Sequence, residues 1–177
     1  MSDSQALWYA LHVRPSYEMT VATRLKELGV EEYLPINKSA KASRRNRFAF
    51  GLPLFPGYVF SYLNLHSGPR LYSIPGVIRI LGYGGKAIPI EDSEIAMVRS
   101  IADSPLLVQS IPYFQPGEKI CLTAGPLCGV SGTLLSSGKG NKLAVSLPLL
   151  NRSLAVTVLS EWVTAEPRGY SPIVALS

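Results

Sequence analysis

Hydrophobic and polar positions follow two textures, a mixed one to about residue 104 and an all-strand one after residue 117. Leu7 to Val13 (LWYALHV) is a continuous apolar run with aromatic and β-branched residues, which predicts a buried strand. Arg14-Pro15 breaks it; Ser16 is then placed to cap a helix, with Glu18 favourable in its first turn. Tyr17, Val21, Leu25 and Leu28 follow at helical spacing as one apolar stripe, and Gly29 closes the helix. Tyr33 to Asn37 reads as a second strand, interrupted by Pro35 and therefore at an edge. Residues 38–50 form a polar, basic loop. Gly57 to Leu65 is the strongest strand pattern, with Tyr58, Phe60 and Tyr62 alternating against Val59, Ser61 and Leu63.

A short turn or helix at 69–73 leads through Pro75-Gly76 to a strand from Val77 to Leu81 and a turn at Gly82-Tyr83-Gly84-Gly85. A second helix follows Pro89, with Glu91, Asp92 and Glu94 at its positive end and Ile95, Val98 and Ile101 or Ala102 as its buried stripe. This order predicts an α+β domain, an antiparallel sheet with the helices on one face. From 105 to 116 three prolines and several polar residues make a linker. Five short strands then follow, Lys119–Thr123, Val130–Leu135, Leu143–Leu147, Leu154–Leu159 and Trp162-Val163, separated by glycine-rich turns. That spacing predicts a small five-stranded β-barrel. The expected organisation is two domains, 1–104 and 117–166, with a tail at 167–177.

Composition narrows the class. At 47% hydrophobic and 16% charged, the 177 residues carry enough apolar material for real cores, which excludes intrinsic disorder. No run reaches the roughly 18 apolar residues of a membrane span, and the first residues lack a signal-peptide pattern, so a soluble cytoplasmic protein is expected. Cys121 and Cys128 are too few for a disulfide framework or a zinc site and read as small apolar residues.

Catalytic patterns are missing. Neither Gly85-Lys86 nor Gly138-Lys139 is followed by the Ser or Thr of a phosphate loop, and no nucleophile elbow or metal-binding helix pattern occurs. No enzyme activity and no cofactor are expected. What stands out is charge: between Glu32 and Glu91 there is no acidic residue, and Lys38, Lys41, Arg44, Arg45, Arg47, Arg70, Arg79 and Lys86 give that interval +8, against −3 for the rest of the chain and +5 overall. Such a block attracts polyanions or an acidic protein surface, unless it is merely solvated. Trp8, Tyr9, Phe55, Tyr58 and Phe60 crowd adjacent strands; on an open sheet face they would mark a protein partner, and otherwise they are core.

At Leu54-Phe55-Pro56-Gly57-Tyr58-Val59-Phe60 the sequence resembles the NusG family of transcription elongation factors. The resemblance opens with Leu7-Trp8-Tyr9-Ala10-Leu11 and continues through Ile74-Pro75-Gly76-Val77, Pro89-Ile90 and Pro116-Gly117-Glu118-Lys119-Ile120. It ends in Gly125-Pro126-Leu127-Cys128-Gly129-Val130-Ser131-Gly132, the turn of a KOW motif. It implies a NusG-type N-terminal domain and an SH3-like KOW barrel. It further implies docking on the clamp helices of the RNA polymerase largest subunit through Trp8, His12, Phe55, Tyr58 and Phe60, with suppression of pausing or termination. Upstream or non-template DNA becomes the implied partner of Lys38, Lys41, Arg44, Arg45 and Arg47, with Arg14 and Arg24 beside them. Leu149, Leu150, Asn151 and Arg152 match the loop by which relatives recruit a small-subunit ribosomal protein or Rho, although core packing accounts for the two leucines as well. A monomer with no membrane partner is expected.

The compact basic loop at 38–53 and the Pro-Leu ahead of Phe55 resemble specialised paralogues, the RfaH and UpxY antiterminators. The apolar, β-patterned Leu154–Val158 argues for a barrel rather than a helical hairpin. The rival reading is a KOW-type RNA-binding protein of the ribosome, although this barrel carries few basic residues.

Overall fold

The computed structural model describes residues 5–37, 51–66, 70–113, 117, 119–137 and 140–165. Two lobes each form around their own antiparallel sheet, and no strand is shared between them. In the first lobe the chain runs β1 (Leu7–Val13), α1 (Glu18–Glu27), β2 (Glu31–Tyr33), β3 (Ile36–Asn37), β4 (Leu52–Pro53) and β5 (Tyr58–Leu63). A 3-10 turn at Leu71–Ser73, β6 (Val77–Ile80), β7 (Gly82–Tyr83), β8 (Lys86–Ala87) and α2 (Asp92–Asp103) complete it. The main sheet has the order β2-β5-β1-β6, while β3-β4 and β7-β8 are two-stranded ribbons.

The continuous apolar run of β1 is explained by burial on both faces. Tyr9, Leu11 and Val13 pack with Val21, Ala22 and Leu25 of α1. Trp8, Ala10 and Phe60 cluster with Ile95, Val98 and Ile101 of α2. The helices therefore serve opposite faces of the sheet, not one face as the element order predicts. Helix α1 begins after Tyr17 without a side-chain cap, because Ser16 sits in the left-handed region at φ 69°. Its inward side is Glu18, Val21, Ala22 and Leu25, whereas Tyr17 and Leu28 are exposed. Helix α2 follows the prediction closely: Glu91 and Glu94 form a reciprocal capping box, and Ile95, Val98, Ile101 and Ala102 are buried.

The second lobe has β9 (Val108–Pro112), β10 (Lys119–Leu122), β11 (Ser131–Ser137), β12 (Gly140–Leu147), β13 (Arg152–Val158) and β14 (Val163–Ala165). Their order is β14-β10-β11-β12-β13-β9. The five expected strands are present, so the lobe is β-structured as predicted, and a sixth is added. Residues 108–112, expected within the linker, pair with β13 from Arg152↔Pro112 to Val156↔Val108. Position explains the tolerance: β9 is an edge strand, where Pro112 removes no ladder bond the sheet needs. Cys128 is exposed and Cys121 half-buried, so only the latter fits the reading of cysteine as core material.

The two lobes share one apolar cluster. Trp8, Leu54, Phe55 and Phe60 belong to it together with Val108, Leu122, Leu143 and Leu154. Across the seam, Asn37 Nδ2 donates to the Val108 carbonyl at 2.9 Å. No helix among the described residues is long and apolar enough to cross a membrane.

Candidate docking and nucleic-acid surfaces

Register brings the aromatic side chains together. His12 of β1 faces Tyr58 of β5 on one side and Arg79 of β6 on the other; Ala10 faces Phe60, and Trp8 faces Tyr62. Directly opposed residues share a face, so Trp8, His12, Tyr58, Phe60, Tyr62 and Arg79 line the side away from α1. The rings are in contact: Trp8–Tyr62 and His12–Tyr58 lie 5.4 Å apart, and Phe55 meets Phe60 edge-on at 5.8 Å.

The turn carrying Phe55 is held from below. Its Gly57 amide donates to Glu18 Oε1 at 2.9 Å, and the Gly57 carbonyl accepts from the Val13 amide at 2.8 Å. Gly57 has φ +84°, a conformation that glycine adopts without penalty, so the residue type fits the turn.

This face is not an open patch. Trp8 is 6% exposed, Phe55 1% and Phe60 0%, so three of the five docking candidates are core, while His12 and Tyr58 are half-buried. The Nδ1 of His12 is buried without a hydrogen-bond partner among the described residues. Sequence reasoning missed what closes the face at one end. The Arg99 guanidinium lies 5.2 Å from the Trp8 ring and 4.9 Å from the Tyr33 ring, and reaches Glu31 at 3.3 Å. Burial pushes the Tyr33 phenol up to about 12, the Asp103 carboxylate adds to the rise, and Arg99 opposes it. Nothing in the pattern of α2 singles out Arg99, since it sits on the helix's polar side as any solvated arginine does.

The nucleic-acid candidates separate. Lys38, Lys41, Arg44, Arg45 and Arg47 lie outside the described residues. Arg14 is exposed just after β1, its amide bonded to the Gly76 carbonyl. Arg24 is already engaged by Glu27 at 2.7 Å, in an exposed pair that screens its charge. In the second lobe Leu150 is buried and Leu149 half-buried against the core, so neither is a free anchor. Asn151 turns the chain in the left-handed conformation at φ 52° and is exposed, and Arg152 opens β13 half-buried.

Residues 6–99 match the family model described as Transcription termination factor nusG. The chain belongs to the NusG family. As a member it is a transcription factor of the termination/antitermination class, and the α+β lobe just described is the part the family model covers. Relatives named Transcription termination/antitermination protein NusG extend the likeness beyond that lobe. The Pseudomonas aeruginosa protein is 26% identical over 164 residues, covering 84% of this chain and 92% of the relative. The Campylobacter jejuni protein is 25% identical over 171 residues, covering 86% and 93%. A solved structure titled "Domain interaction in Thermotoga maritima NusG" superposes with a TM-score of 0.57 at 21% identity, covering 91% of this chain and 97% of that one. At that identity the superposition speaks for the NusG fold alone.

Proposed function

We propose that this chain docks on the clamp helices of the RNA polymerase largest subunit through Tyr58, His12 and the rings behind them, and suppresses pausing or termination. The second lobe, through the turn at Leu149 to Arg152, recruits a further factor, a small-subunit ribosomal protein or Rho. No bond is made or broken: a ligand that binds one polymerase conformation more tightly shifts the population toward it. The observation that carries this reading is the contiguous aromatic face in a lobe of the NusG family, with Tyr58 and His12 at its accessible end.

Burial of Phe55 and Trp8 adds a condition. For these rings to touch a partner, the shared cluster must part, and the seam between the lobes can part without breaking a sheet because no strand crosses it. Exposing one buried aromatic or leucine side chain costs about 1.5–3 kcal/mol. Every 1.4 kcal/mol spent on opening weakens apparent docking about tenfold. Docking is therefore weaker in the closed chain than in its separated N-terminal lobe.

Co-elution of the full chain with bacterial core RNA polymerase tests the reading, with Tyr58→Ala as the control. The wild type is expected to co-elute and the variant, folded by circular dichroism, to elute alone. If the folded wild type and its residues 1–104 both fail to bind, clamp docking is wrong. If Tyr58→Ala binds as well as wild type, the aromatic face is not the docking site.

A further inference from the structure

The turn that Glu18 holds from below also closes one side of a cavity. Glu18, Pro53 and Leu54 are the buried part of its lining, while Pro15, Leu52 and Pro56 are exposed at its mouth. Its volume is about 390 Å³, within the range of small-molecule sites. Both lobes contribute to it. Asn37 lines the cavity while its Nδ2 donates to the Val108 carbonyl, and Ser110, two residues further along β9, lines it from the second lobe.

The only charged group among the described lining residues is the Glu18 carboxylate, which is 3% exposed. Its Oε1 accepts from the Gly57 amide at 2.9 Å, and its Oε2 has no partner among the described residues. The positive end of α1 favours the charge but supplies no donor to that oxygen. A buried carboxylate oxygen is satisfied best by a charged donor. The walls decide which cation. Among the described residues no group of three His, Cys, Asp or Glu could hold a metal ion, and proline and leucine side chains offer methylene contact instead of oxygen ligands. A phosphate or carboxylate ligand would meet like charge. An ammonium on a short carbon chain matches both the carboxylate and the walls.

We propose that this cavity binds a small aliphatic primary amine, its ammonium on Glu18 Oε2 and its carbon chain against Leu52, Pro53 and Leu54. Because Ser110 belongs to the second lobe, the ligand meets a complete site only when the lobes are joined, and it stabilises that arrangement by mass action. The site does not depend on polymerase docking, and failure of either reading leaves the other standing.

NMR titration of the full ¹⁵N-labelled chain with n-butylamine at neutral pH tests it, read at the Gly57 and Ser110 amides. Saturable shifts are expected in the millimolar range, the affinity open to so small a ligand. n-Butanol, which keeps the chain without the charge, and ammonium chloride, which keeps the charge without the chain, are each expected to bind about tenfold more weakly. Glu18→Gln keeps an acceptor for the Gly57 amide and removes the charge, and is expected to weaken butylamine binding about tenfold. Saturating butylamine should raise the thermal midpoint of the wild type and leave that of Glu18→Gln unmoved. Ser110→Trp leaves Glu18 in place and fills the mouth from an exposed edge-strand position; it is expected to lose binding as well. Both variants are checked for folding by circular dichroism. No saturable shift in the wild type would mean that the cavity holds water alone, and overturns the proposal. So does wild-type affinity in either folded variant, or equal binding of butanol, which would make the cavity a purely apolar pocket. Tighter binding of a blocked lysine peptide than of butylamine overturns the free amine as occupant and makes it a protein side chain.

Discussion

Glu18, the first residue of α1, accepts a hydrogen bond from the backbone amide of Gly57 at 2.9 Å, joining the helix start to the turn that carries Phe55 and Tyr58. The carboxylate is 3% exposed, and its second oxygen has no partner among the described residues. A helix that buries a carboxylate on its inward side departs from the apolar stripe, and the departure has a function: it ties down an aromatic turn from outside its own sheet.

Removing that acceptor leaves the Gly57 amide without its partner. A lost hydrogen bond to a buried charged group costs about 1.5–3 kcal/mol. Glu18→Ala is expected to lower the unfolding free energy by about 2 kcal/mol in urea titration, and Glu18→Gln, which keeps an acceptor at the same reach, by less than half of that. Equal losses for the two would show that the bond to Gly57 contributes nothing and that only packing is at stake.

Arg99 bridges Trp8 and Tyr33 and thereby joins α2 to β1 and β2. The Glu31 contact at 3.3 Å is solvent-exposed on both sides and contributes about 0–1 kcal/mol. The two rings contribute more, about 0.5–2 kcal/mol each according to how far the guanidinium is desolvated. Arg99→Ala should lower stability by about 1–2 kcal/mol and raise acrylamide quenching of Trp8, measured with Trp162→Phe as background. Glu31→Gln should change neither by much. A Glu31 effect as large as the Arg99 effect would mean that the ion pair, not the rings, holds the helix.

The fold was legible where burial writes itself into a run of residues. Leu7–Val13 is apolar at every position but His12, as a strand covered on both faces nearly must be, and Ile95, Val98, Ile101 and Ala102 repeat at helical spacing because one side of α2 is buried. Strand β9 was not legible: Val108 and Ile111 sit among prolines and polar residues, and only pairing with β13 makes them a strand. For the site, the aromatic types and their shared face followed from alternation. Which face was closed did not, because Trp8 and Phe60 look the same whether a partner protein or the chain's own α2 and second lobe covers them.

Tyr33 makes stability depend on pH in the alkaline range. Its phenol is pushed from the ordinary 10 up to about 12, chiefly by burial, so the folded state holds the proton more tightly than the unfolded one. A folded pKa above the unfolded one gives stability that is complete below about 10 and is lost as pH rises through about 12. The group is partly solvated, so the full linkage is discounted to roughly 1 kcal/mol. Urea midpoints measured from neutral pH to the alkaline limit should fall more steeply for wild type than for Tyr33→Phe above pH 10. Parallel profiles would assign the alkaline loss to other groups.

Strand β9 sets where the second lobe begins. Val108 is buried in the shared cluster, and β9 covers the open side of β13, whose Leu154 and Val156 are fully buried. A fragment starting at residue 117 removes that cover and leaves β13 as an unpaired edge, the kind of surface that recruits another strand. A fragment of residues 105–177 keeps it. The longer fragment is expected to sediment as a monomer and to unfold cooperatively. The shorter one is expected to lose about 2 kcal/mol, the burial of one valine plus part of a ladder, or to self-associate through β13. Identical urea midpoints and sedimentation for the two fragments would show that 108–112 is a linker in solution, and that the five strands after residue 117 close the lobe without it.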